Sequence, residues 1–148
     1  MKAEYINPFL ESARTVIEQM CRIRPSTGRL SIKEIVFAEN HLWIQIGLTG
    51  QMTGDIIFSL SKPVALRIVS AMMGGFAITE IDDMGRSAIS ELSNMISGNA
   101  STLLYNQGVI VDITPPRIVS GSFAARRALA VPLIMDGIGE MEIQVLIA

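Results

Sequence analysis

Residues 82–108, DDMGRSAISELSNMISGNASTLLYNQG, read as one long helix with two unlike faces, and such a helix needs a broad core to lie on. At about 100° per residue, Met84, Ala88, Leu92, Met95, Ile96 and Leu103 fall on one apolar stripe. Ser87, Glu91, Asn94 and Gly98 fall on the other side. Their spacing of four, three and four residues sets a carboxylate beside a carboxamide, above a residue with no side chain. Ser, Glu and Asn are also ordinary on the wet face of a helix, and spacing alone favours that reading. Helix propensity points the other way: Asn94, Gly98 and Asn99 are poor helix formers where Ala, Lys or Glu would have added stability.

The rest of the chain narrows the classes of function. Its 148 residues make one domain or two small intertwined halves with a real core, 49% of them are hydrophobic, and only 18% are charged. A net charge of −2, with Arg126 and Arg127 the only adjacent basic pair, argues against a nucleic-acid surface. The single cysteine, Cys21, sits among apolar residues and reads as a buried thiol. Glu4, Pro8 and Glu11 interrupt what a signal peptide would need, and no later segment has the length of a membrane span, so a soluble cytoplasmic protein is expected. His41, beside Asn40 in an expected hairpin turn, is the one histidine, which excludes a metal site built on histidines.

In chain order, Phe9, Leu10, Ala13, Val16, Ile17 and Met20 predict a helix over residues 7–23, with Asn7 as cap and Pro8 in the first position. Residues 26–28 form the turn out of it. Alternation predicts strands at 30–37, 42–48 and 56–60, joined as an antiparallel meander through turns at 38–41 and 50–54. Ser61 and Pro63 open a helix that Gly74 and Gly75 end, and Asp82 or Asp83 caps the long helix. Strands are expected at 109–113, 129–135 and 141–147, with Asp136 and Gly137 as a tight hairpin turn. Pro115 and Pro116 force the chain out of the sheet or along its edge, and residues 121–125 read as a flexible loop.

Helix and three strands, a connector helix, then helix and three strands again suggest a single 148-residue domain built by internal duplication. The pseudo-repeats cover about residues 5–60 and 82–148, with the connector helix at about 62–73. Asn7, Glu11 and Arg14 repeat the spacing of Ser87, Glu91 and Asn94, so only the second copy carries the amide.

These residues resemble the CheC, CheX and FliY family of chemotaxis phosphatases, CheX-type sequences above all. The family pattern is Asp or Ser, three residues, Glu, two residues, Asn, then Gly four residues on, and Ser87, Glu91, Asn94 and Gly98 fill it. INPFLE at 6–11, DDM at 82–84, ELSNMISG at 91–98 and DITPP at 112–116 are similar as well. Arg14 in place of a first-copy Asn departs from CheC-like members and points to one site per chain.

The resemblance implies an α/β (α+β) fold with a mainly antiparallel sheet covered by long helices. It implies hydrolysis of the aspartyl phosphate on a CheY-type receiver domain, with Glu91 and Asn94 catalytic, Gly98 touching the partner, and Ser87 either a further partner contact or a solvated helix residue. Asn94 would hold the attacking water, and Glu91 would reach the partner's active-site lysine. No cofactor of the chain's own is implied, and Mg²⁺ would belong to the phosphorylated receiver. A homodimer joined partly through sheet edges is expected, with Glu91 and Asn94 left exposed. A non-catalytic adaptor of the same fold, docking on a receiver domain or a flagellar switch component, is the alternative. A self-contained hydrolase has little support, since no nucleophile elbow or phosphate-binding loop is present.

Overall fold

Side chains on a strand alternate between its two faces, so each central strand of this chain divides its residues between a core and the opposite surface. The computed structural model describes residues 5–119 and 124–146. The elements run α1 (Ile6–Cys21), β1 (Ser26–Thr27), β2 (Ser31–Ile35), β3 (His41–Gly50), β4 (Gly54–Ser61), α2 (Lys62–Met72), α3 (Asp83–Asn106), β5 (Val111–Ile113), β6 (Arg117–Val119), β7 (Arg126–Met135) and β8 (Gly139–Leu146). The strands form one antiparallel sheet in the order β1-β7-β8-β4-β3-β5, with β2 also on β7 and β6 also on β3.

A row of apolar residues crosses the sheet in register: Val131, Ile143, Phe58, Ile44 and Ile118. With Ile46, Leu48, Ile56, Met141 and Val145 they meet Phe9, Ala13 and Ile17 of α1, Ile68 of α2, and Ile89, Leu92 and Ile96 of α3 in one core. The opposite face carries a smaller cluster of Ile35, Trp43, Ile57, Ala128 and Leu146. Beside it Lys33 Nζ pairs with Glu142 at 2.8 Å.

The expected meander of residues 30–60 reduces to the β3–β4 hairpin. β2 lies on β7, with Ile32 opposite Leu129, instead of on β3. Alternation shows which residues share a face but not which strand lies alongside, and this pairing is non-local. In the same way β5 and β6 pair with β3. The first strand of each half thus lies against the other half's hairpin, and the sheet order has the same pattern from either end.

Local signals set most of the helix ends. Ser61 Oγ accepts from the Val64 N–H, with Pro63 in the first turn, and Gly74 and Gly75 follow α2 at φ 77° and 93°. α1 begins at Ile6, so Asn7 lies inside the helix and is not its cap; Tyr5 takes that place without a side-chain bond. Arg22, at φ 59°, closes it. The expected turn at Ser26–Thr27 is instead the two-residue strand β1.

A turn at Glu39–Asn40, with Asn40 at φ 64°, precedes His41 as expected, but β2 pairs with β7, so the turn closes no hairpin; His41 is the first residue of β3 and stacks on Trp43, with ring centroids 5.5 Å apart. Pro115 and Pro116 fall between β5 and β6 beside the sheet's outer strand, as expected, but β6 itself was not foreseen. Of the expected loop at 121–125, residues 121–123 lie outside the described residues, as does Ile147 of the expected last strand. Cys21 is buried, and desolvation pushes its thiol up to about 11, as suits an inert core group.

Candidate active site

α3 starts where Asp82 Oδ1 accepts the Gly85 N–H at 2.8 Å, and Asp83 sits in its first turn. Its inward face is Gly85, Ile89, Leu92, Ser93, Ile96, Ser97, Ala100 and Leu104. This corrects the expected apolar stripe. Leu92 and Ile96 are buried, but Ala88 and Met95 only flank the core, Leu103 is half-buried and Met84 is 66% exposed. Two of the inward residues are serines: Ser93 Oγ donates to Ile89 O at 2.9 Å, as a helix serine can, while the buried Ser97 Oγ has no partner among the described residues. From α1, Ser12 Oγ donates to Ile96 O at 2.5 Å, tying the two helices together. Hydrophobicity alone misses such small polar groups and sets the helix at the wrong rotation.

With α3 turned this way, Ser87, Glu91 and Asn94 face solvent and Gly98 is half-buried. Glu91 and Asn94 are neighbours one turn apart, their Cβ atoms separated by about 5–6 Å at such spacing. Neither makes a side-chain hydrogen bond or ion pair among the described residues, so both polar ends are available to an external group. A Cβ built on Gly98 would meet nothing within 4 Å, so packing inside the chain does not require glycine there. On α1, Asn7, Glu11 and Arg14 are exposed too, without an amide at the third position. Among the described residues no three His, Cys, Asp or Glu side chains cluster so as to hold a metal, and no helix is long and apolar enough to cross a membrane.

The family model described as chemotaxis phosphatase CheX matches residues 43–137, which takes in all of α3. The chain is also 40% identical over 121 residues to the CheY-P phosphatase CheX of Thermotoga maritima, covering 82% of this chain and 78% of that one. The chain belongs to the CheX family of chemotaxis phosphatases. Solved structures agree with the assignment. A CheC-like superfamily protein from Shewanella sp. PV-4 superposes with a TM-score of 0.84 at 27% identity, covering 99% of this chain and 98% of that one. CheX in a Borrelia burgdorferi CheX–CheY–BeF₃–Mg²⁺ complex superposes with a TM-score of 0.74 at 26% identity, covering 98% of each chain.

Two exposed apolar residues of this CheX-family chain extend the outward line. Met84 stands three residues before Ser87, and Tyr105, 65% exposed, stands seven after Gly98. The same spacing of three and four that marks Ser87 to Gly98 would have found them.

Proposed function

We propose that this chain hydrolyses the aspartyl phosphate of a CheY-type receiver domain. In that reaction water attacks phosphorus, the bond from phosphorus to the carboxylate oxygen breaks, and phosphate leaves with the aspartate regenerated. An aspartyl phosphate is already reactive and its transition state is loose, so a catalyst contributes chiefly by holding water in line. The Asn94 amide suits that task because it both donates and accepts hydrogen bonds. A carboxylate facing phosphate oxygens is repelled, so Glu91 engages a cation, the receiver's active-site lysine. Ser87 lies along the contact, and Gly98 lets the partner approach the helix backbone. The Mg²⁺ belongs to the receiver, in line with the complex of the Borrelia relative.

The observation that carries this reading is the pair of exposed, internally unpartnered polar groups Glu91 and Asn94 on the rigid helix α3. The chain works as a homodimer joined partly through a sheet edge, a reading supported by the exposed apolar residues Leu30, Ile32, Val36 and Ile134 on and beside β2 and β7. The like-patterned halves of the sheet support an origin by duplication, with Arg14 marking the copy without a site. The test is phosphate release from the phosphorylated receiver with and without the chain. Acceleration supports a phosphatase; binding with an unchanged rate supports the adaptor.

A further inference from the structure

Single exposed apolar side chains are ordinary on a protein surface; their distribution on this chain is not. Among the described residues the large exposed hydrophobics are Leu30, Ile32, Val36, Phe76, Met84, Tyr105, Ile110 and Ile134. Only Met84 and Tyr105 lie on helices, and both lie on α3. At about 100° per residue they share a sector of about 80° with Ser87, Glu91, Asn94 and Gly98. Met84 precedes the polar line and Tyr105 follows it.

From the structure we infer that Met84 and Tyr105 are apolar anchors that hold the receiver domain across the Glu91–Asn94 pair. This inference rests on the proposed phosphatase reading for the identity of the partner, and extends it to what fixes the docking pose. A rise of 1.5 Å per residue separates the two anchors by about 32 Å. One partner's share of a standard interface, about 800 Å², is roughly 32 Å across, so a single domain seated on Asn94 reaches both. A polar line alone supplies little affinity, because water competes for each of its hydrogen bonds. Two flanking apolar side chains supply the missing burial, and placed on both sides of Asn94 they resist tilting of the partner about the catalytic point.

The first helix offers a built-in contrast. α1 spans 16 residues against 24 for α3, and it presents no large exposed hydrophobic residue along Asn7, Glu11 and Arg14. The helix without the amide is also the helix without anchors. That pairing is expected if both features serve the same partner.

The test measures binding of the cognate receiver loaded with Mg²⁺ and beryllofluoride, which stands in for the phosphoryl group, together with turnover of the phosphorylated receiver. Met84→Ala and Tyr105→Ala each weaken Kd about fivefold, and because the sites are far apart the double variant weakens it about 25-fold. At saturating receiver, kcat stays within about twofold of the parent, since neither side chain reaches the water. Gln19→Ala, an exposed change on α1, leaves Kd unaltered. Unchanged Kd in the double variant, or a fall in kcat with no change in Kd, overturns the inference while leaving the phosphatase reading intact. If the anchors matter for binding but the parent does not speed dephosphorylation, the anchors stand and the catalytic proposal falls. If the parent does not bind the receiver, both fall.

Discussion

Gly98→Ala separates what α3 needs for folding from what it needs for a partner. The glycine lies well inside the helix Asp83–Asn106, and a Cβ there meets nothing within 4 Å, so no clash offsets the gain in helix propensity. That gain is about 0.8–1.0 kcal/mol. For a chain of 148 residues the unfolding entropy is about 0.31 kcal/mol per kelvin, so Tm rises by about 3 °C. A methyl group on the docking line, one turn beyond Asn94, pushes the partner outward, and an error of about 1 Å in placing the water can cost about 100-fold in rate. Calorimetry and a receiver-dephosphorylation assay on the same preparation should show a chain that is more stable and at least tenfold less active. A variant that is stabilised and fully active refutes close approach at Gly98, whereas one that is not stabilised refutes open space there.

Three further changes probe other parts of the account. Glu91→Ala should lower kcat/KM for the phosphorylated receiver by about 30-fold or more and weaken the salt dependence of KM, as loss of a charge pair across an interface does; an unchanged KM at low salt counts against the lysine contact. Ile32→Lys on the exposed edge strand β2 should yield monomers in light scattering with Tm little changed, and a persistent dimer would move the interface elsewhere. Burial raises the Cys21 thiol from 9.0 to about 11, so the folded state takes up a proton relative to the unfolded one between those values. Its stability contribution is therefore present below pH 9 and lost as pH rises toward 11, and the urea midpoint of the parent should fall more over that range than that of Cys21→Ala.

The features legible in the sequence were those set by neighbours in the chain. Asp82 before the long helix, Ser61 with Pro63 before α2, and Asp136–Gly137 between β7 and β8 each act through local backbone bonds or a positive φ. The polar line on α3 was legible because its geometry depends only on helix pitch. The neighbour of β2 was not, because the alternation of Leu30, Ile32 and Ile35 suits any hydrogen-bonding edge; β7 is chosen by tertiary packing. The rotation of α3 differs from the one its hydrophobic residues predict because Ser93 and Ser97 are buried and Met84 is not. The Ser12 to Ile96 hydrogen bond that ties α1 to α3 is non-local and appears in no sequence pattern. Asn7, read as a cap, sits one residue inside α1, where its side chain extends the outer face instead.

In the proposed mechanism the rate depends on a single amide, that of Asn94. The most direct measurement is the rate of dephosphorylation of a Mg²⁺-bound, phosphorylated CheY-type receiver in the presence of Asn94→Ala, with melting and receiver affinity recorded on the same protein. Asn94 is exposed and unpartnered among the described residues, so the variant should fold and bind as the parent does while the receiver loses phosphate at its own unassisted rate. Acceleration by Asn94→Ala equal to that of the parent would contradict the mechanism.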